Sequence, residues 1–183
     1  MVNIDPKYRT WAEIDMAALK HNFEIARRTG KKVLCVIKAN AYGHGAVHCG
    51  LFLERQGADF FAVACLAEAI ELREGGITKP ILILGYTPEK YAETLARYDI
   101  TQAVQDERTA LELGRYATEA GVNLNVHIKI DTGMSRTGIF AQGEEAALAA
   151  ADTIERIYKI PGIAVKGMFT HFSVADTPSE DEY

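Results

Sequence analysis

Lys38 is the residue whose surroundings point most directly to chemistry. It follows Val33-Leu34-Cys35-Val36-Ile37, an apolar and mostly β-branched run that reads as a strand buried on both faces, and it precedes Ala39-Asn40-Ala41-Tyr42-Gly43-His44-Gly45. An ammonium group at such a strand end is costly unless it is paired or loses its proton. Burial lowers the pKa of a lysine, and the neutral amine is the form that condenses with a carbonyl to a Schiff base. The alternative is that Lys38 extends from the strand end into water on its flexible stem. The strand pattern alone leaves both open.

A second group sits in Asn125-Val126-His127-Ile128-Lys129-Ile130-Asp131. Period-two alternation sends Val126, Ile128 and Ile130 to one face and His127, Lys129 and Asp131 to the other. In a strand covered on both sides, the polar face should look towards an interior site; a solvated edge strand is the alternative. The loop Asp131-Thr132-Gly133-Met134-Ser135-Arg136-Thr137-Gly138 then brings a second cation, Arg136, close in sequence to Lys129. An ordinary Lys129–Asp131 pair is the other reading of that lysine. His171 stands at the end of a further apolar run, where a lone histidine can equally be a plain hydrogen-bonded residue. Gly43 and Gly45 invite a phosphate cradle built from exposed N–H groups. His21 and His48 fall within helical patterns without partners and read as structural.

The elements that position these residues follow one rhythm. Thr10 to Ile14 alternates as a strand would, and Asp15 can cap a helix carrying Met16, Leu19, Phe23 and Ala26, closed by Gly30. After the lysine strand comes a helix from about His44 to Gln56, stopped by Gly57. Strands are expected at 59–65, 80–85, 100–105, 124–130 and 163–170. Helices are expected around 67–73, after Pro88, from Asp106 to Gly121 with the stripe Ala110, Leu113, Ala117 and Ala120, and from Glu144 to Tyr158. Six strand-then-helix units argue for parallel strands joined by right-handed crossovers. A doubly wound sheet and part of an eight-stranded barrel both fit.

Composition narrows the function classes. A chain of 183 residues, 48% hydrophobic and 25% charged, can bury the core of a globular domain. A net charge of −5 offers no basic face for nucleic acid. No apolar run reaches membrane-spanning length, and Met1 to Thr10 does not resemble a signal peptide. Cys35, Cys49 and Cys65 lie in apolar contexts without metal-like spacing and read as buried small hydrophobes of a cytoplasmic protein.

Val-Ile-Lys-Ala-Asn-Ala-Tyr-Gly-His-Gly, 36 to 45, resembles the pyridoxal-phosphate lysine segment of the alanine racemases. His-Ile-Lys-Ile-Asp-Thr-Gly-Met-Ser-Arg-Thr-Gly, 127 to 138, is similar to a second motif of that family, and Gly-Met-Phe-Thr-His-Phe-Ser, 167 to 173, to a third. The resemblance runs from about Thr10 to Phe172. It implies a parallel α/β fold, a (β/α)8 TIM-type barrel of which about six strands are present, followed in the family by a separate β-domain. Residues 1–183 would be the N-terminal part of the barrel, with the later strands and the β-domain absent. Such a barrel ordinarily takes roughly 250 residues, and the sequence stops at Asp181-Glu182-Tyr183, shortly after the sixth strand.

The resemblance also implies roles. Lys38 would carry pyridoxal 5'-phosphate as an internal aldimine and act as one of two bases in racemising L- and D-alanine, a step that supplies cell-wall peptidoglycan. Arg136 would bind the substrate carboxylate and the cofactor's phenolic oxygen. Lys129 would be carbamylated and hold Arg136 in place. Tyr42 would contact the phosphate, and His171 would pack against the pyridine ring. The family places most of its phosphate cradle on later strands, which leaves Gly43 and Gly45 as turn residues. The second base, a tyrosine, would come from a partner subunit in a cytoplasmic homodimer, with no metal, nucleic acid or membrane involved. The chain by itself is expected to be inactive. The rival readings are a serine or broad-specificity racemase, a decarboxylase of the same barrel type, a non-catalytic pyridoxal-phosphate-binding barrel, and a fragment without cofactor.

Overall fold

The computed structural model describes residues 9–177 and Ser179. Met1 to Tyr8, and the Asp181-Glu182-Tyr183 stretch that marked the end of the chain in the strand count, lie outside the described residues.

Among the described residues seven parallel strands form: β1 (Leu34–Val36), β2 (Phe60–Val63), β3 (Ile81–Ile83), β4 (Ile100–Val104), β5 (Leu124–Asp131), β6 (Ile139–Phe140) and β7 (Ile163–Phe169). The helices are α1 (Met16–Arg27), α2 (Lys38–Tyr42), α3 (Ala46–Arg55), α4 (Leu66–Glu74), α5 (Ala92–Arg97), α6 (Glu107–Glu119) and α7 (Glu144–Tyr158), with a 3-10 turn at Glu89–Tyr91 before α5. Asp15 and Asp106 cap as their types suggest. Asp15 accepts from the N–H groups of Ala17 and Ala18 at 2.8 and 3.1 Å, and Asp106 from Thr109 at 2.7 Å. Such a cap is worth about 1 kcal/mol.

Strand order decides between the two architectures. The sheet runs β1-β2-β3-β4-β5, with β7 on the far side of β5, so neighbours in sequence are neighbours in space. A doubly wound sheet reverses its strand order part-way and carries helices on both faces. Among the described residues the helices pack on one face. Phe61, Val63, Ile81, Ile83, Val104, Val126 and Ile128 point outwards and pack with Leu53, Leu72, Leu95, Leu113 and Ile157 of the helices. Each is worth roughly 1.5–3 kcal/mol of burial. The inner face carries a small separate cluster, Ala62, Leu82 and Ala103 with Phe60, Leu84 and Phe169. One-sided helices around a sequentially ordered parallel sheet make this part of a barrel.

Four readings of the sequence need correction. Thr10 to Ile14 forms no strand. The lysine strand is not buried on both faces: Leu34 and Val36 are 37% and 39% exposed, because they face the barrel interior and, among the described residues, β1 has a strand neighbour on one side only. Cys65 is exposed, unlike buried Cys49. In α6 the buried stripe includes Gly114, while Ala120 is only half-buried. The pattern also gave no sign of β6, two residues long and paired with the end of β5.

Candidate active site

Lys38, Tyr42, Lys129, Arg136 and His171 line one cavity of about 640 Å³ on the inner face, at the C-terminal ends of β1, β5 and β7. Leu34, Val36, Leu82, Leu84 and Phe169 supply its apolar wall, and Gln105, His127, Thr137 and Thr170 its remaining polar lining. The C-terminal rim is where parallel α/β barrels gather functional groups. No aspartate or glutamate lines the cavity among the described residues, although three cationic side chains do.

Lys38 does not end its strand. β1 stops at Val36, and Lys38 opens α2, a turn of the opposite hand to an ordinary helix. Ala39, Asn40 and Ala41 sit at (φ, ψ) of (50, 51), (54, 46) and (52, 49), and Tyr42 continues at φ 53. Left-handed backbone costs roughly 1–2 kcal/mol for each residue with a Cβ. Asn40 is the member of the run best suited to it. Its side-chain oxygen also accepts from Ala46 N at 2.8 Å, tying the turn to the start of α3, which begins two residues later than the pattern suggested. Gly43 and Gly45, at φ 90 and 91, are turn residues. The half-buried Lys38 and the exposed Tyr42 are thereby turned to one cavity from adjoining positions.

In β5, Val126 and Ile128 enter the sheet–helix core while His127 and Lys129 face the cavity. His127 stacks edge-on against Phe60 with ring centroids 5.6 Å apart, and burial holds its imidazole below the ordinary histidine value. The β5–β7 ladder shifts register between Val126 and His127, opposite Gly167. A Cβ on Gly167 would lie 3.0 Å from the His127 ring, so the glycine admits the imidazole. Lys129 is 5% exposed and donates to Thr137 Oγ1 at 2.6 Å. Burial, and then the Arg136 guanidinium, hold its ammonium below the ordinary lysine value, with Asp131 opposing.

Asp131 is not the partner of Lys129. Its carboxylate accepts from the backbone N–H groups of Gly133, Ser135 and Arg136 at 3.1, 2.9 and 2.9 Å, and so folds the loop that presents Arg136. These bonds, Ser135 first, hold the carboxyl below the usual carboxylate value. Thr132 and Thr170 hydroxyls, 2.7 Å apart, join the loop to the segment leading to His171. A depressed folded pKa means the stabilisation is complete above the unfolded value near ~3.9 and is lost as pH falls through the folded value. Amide exchange at Ser135 and Arg136 should therefore stay slow to below about pH 4 and then rise. Asp131→Asn should exchange faster there at neutral pH and lack the acid step. An NMR pH series that finds the two proteins alike would contradict this role.

Sequence reasoning did not single out Glu68, Gln105 or Thr137. Glu68 carried a partial signal, since an acidic residue in the first turn of a helix commonly accepts from nearby backbone N–H groups. Its long-range bond, described below, had none.

The family described as alanine racemase, N-terminal domain, matches residues 14–183. The alanine racemase of Clostridium perfringens (strain SM101 / Type A) is 46% identical over 168 residues, covering 91% of this chain and 42% of that protein. Among solved structures, an alanine racemase from Clostridium difficile 630 matches with TM-score 0.80 and 39% identity, over 91% of this chain and 42% of that one. A histidine racemase from Leuconostoc mesenteroides subsp. sake matches with TM-score 0.77 and 32% identity, over 89% and 43%. The chain thus spans less than half the length of the relatives it matches.

Proposed function

We propose, from the premise that this chain belongs to the family of alanine racemase N-terminal domains, that it is the cofactor-bearing barrel portion of a pyridoxal 5'-phosphate-dependent alanine racemase. The observation that carries the reading is the charge of the cavity. Lys38 and Arg136 line it, and no aspartate or glutamate does among the described residues, in a chain whose net charge is −5. An aldehyde bearing a dianionic phosphate, together with an amino acid's carboxylate, is the ligand chemistry such a donor set fits.

When bound, pyridoxal phosphate supplies the electron withdrawal that makes a substrate Cα proton acidic. Lys38 Nζ would hold that group covalently and, as a free amine, would take or return the substrate Cα proton on one face. Arg136 offers its planar fork to the substrate carboxylate. Tyr42 and His171 are assigned to the phosphate and to the face of the pyridine ring. Protonation on the opposite face is assigned to a tyrosine of a second copy, which makes the working form a cytoplasmic homodimer.

Lys129 is assigned as the N-carboxylated residue. Its depressed pKa leaves more of the amine neutral and able to add to carbon dioxide, releasing a proton and placing an anion beside Arg136. With carbon-13 bicarbonate, NMR should show a carbamate signal in the assembled protein that disappears in Lys129→Ala. Its persistence in that variant would refute the assignment.

The test of the whole reading is cofactor addition followed by a visible spectrum, borohydride reduction and peptide mapping, beside a coupled D-alanine assay. Label on Lys38 is expected. Label on Lys32 or Lys129 with Lys38 unmodified would overturn it.

A further inference from the structure

Four consecutive residues in left-handed backbone carry a conformational cost that the turn's own bonds, such as Gly43 N to Ala39 O at 3.0 Å and Gly45 N to Asn40 O at 2.9 Å, share with contacts from outside it. Glu68, half-buried in the first turn of α4, is placed to supply such contacts. Its Oε1 accepts from Ala39 N at 2.8 Å, across 29 residues, and its Oε2 accepts from Ala64 N at 2.7 Å. Ala39 is the residue directly after Lys38 and the first with positive φ. Ala64 follows β2, the strand that pairs with β1. One carboxylate thus ties the entry of the left-handed turn to the neighbouring strand end.

A helix-capping role explains only half of this. Glu68 occupies the third position of α4, from which a glutamate reaches back to N–H groups just before the helix. The Ala64 bond is of that kind. The Ala39 bond is not, because it leaves the helix for the segment that carries Lys38.

We propose that Glu68 is the positioning residue for Lys38, fixing the direction in which the lysine enters the cavity by fastening the first N–H of its turn. The inference rests on the reading of Lys38 as the cofactor-bearing residue. A glutamine at 68 keeps the shape but offers one carbonyl oxygen where two N–H donors need acceptors, and turns an NH₂ towards the other. An aspartate keeps the charge but is one methylene too short to span both.

The experiment uses the full chain and its Glu68→Gln and Glu68→Asp variants, with three readouts: melting temperature, amide exchange residue by residue, and the rate of borohydride-trappable pyridoxal phosphate at Lys38. In E68Q, Ala39 exchange should rise by about tenfold or more, with β4 and β5 amides unchanged. The trapping rate at Lys38 should fall by roughly 10- to 100-fold, since a displacement near 1 Å can cost that much. E68D should resemble E68Q. Unchanged Ala39 exchange, acceleration spread evenly over the sheet, or full recovery in E68D would overturn the clamp. Wild-type trapping on another lysine would instead overturn the reading of Lys38, and the cofactor-free exchange at Ala39 would still decide the clamp.

Discussion

Lys38→Ala is expected to lower reductive trapping of pyridoxal phosphate in the cavity by at least about 100-fold, because a positioned amine is replaced by encounters with solution-exposed lysines. Any alanine racemisation by the protein should fall by roughly 10²–10⁴-fold, the usual share of a positioned acid–base group. Two observations isolate the effect to chemistry. Lys38 is half-buried, and among the described residues its ammonium makes no hydrogen bond or ion pair, so truncation orphans no partner. The residues that follow it, Ala39 to Ala41, keep the turn through the Glu68 and Asn40 bonds. The melting temperature should therefore move by no more than about 2–4 °C, the equivalent of about 1 kcal/mol in a chain of this size. The rival amine is Lys129, which lines the same cavity and is more deeply buried. Its Nζ, however, is committed to Thr137 Oγ1 at 2.6 Å. Mapping decides between them: undiminished trapping in K38A with label on Lys129 would transfer the cofactor role to β5.

The features legible in the sequence are those set by local pattern and short-range chemistry. The strands at 60–63, 81–83 and 100–104, the caps Asp15 and Asp106, and the glycines Gly30, Gly57, Gly75 and Gly121 that follow α1, α3, α4 and α6 depend on neighbours within a few residues. The alternation in β5 correctly divides Val126 and Ile128 from His127 and Lys129, because both faces of that strand are covered. It misleads at Asp131, where the strand ends and the carboxylate meets N–H groups of its own loop instead of the lysine two residues back.

The left-handed turn was hidden for a stronger reason. Nothing in Ala39-Asn40-Ala41-Tyr42 prefers left-handed backbone except Asn40, so local propensity argues against the observed conformation. Part of what opposes that preference lies 29 residues away, at Glu68. Local and tertiary preferences disagree here beside Lys38, the residue proposed to hold the cofactor, and functional sites are where such conflicts are expected to persist. The exposure of Leu34 and Val36 has a similar origin. Their types report an apolar interior, whereas coverage on that side depends on what closes the barrel face.

Gly162→Ala should be strongly destabilising, by about 2–5 kcal/mol, or roughly 5–15 °C in melting temperature. Gly162 lies in the turn between α7 and β7 at φ 80, and its carbonyl accepts from Leu124 N at 3.0 Å, directly before the β5–β7 ladder begins at Leu124↔Ile163. A Cβ there would stand 2.4 Å from Gly114 O and 2.6 Å from Thr118 Oγ1, both on α6. Backbone and a hydrogen-bonded hydroxyl cannot yield as a flexible side-chain end would, since Thr118 Oγ1 already donates to Gly114 O at 2.8 Å. Relief therefore requires β7 to move away from α6, and β7 carries Met168 and Phe169 of the cavity wall and leads to His171. Gly143 supplies the control. It shares φ 80, with ψ 165 in a region nearly confined to glycine, but has nothing within 4 Å of its added Cβ, so Gly143→Ala should cost only the conformational share, about 1–3 kcal/mol. The excess of G162A over G143A measures the contact between α6 and the β7 turn. Equal losses in the two variants, by thermal or denaturant unfolding, would mean that the backbone relaxes freely here and that the position of His171 does not depend on this contact.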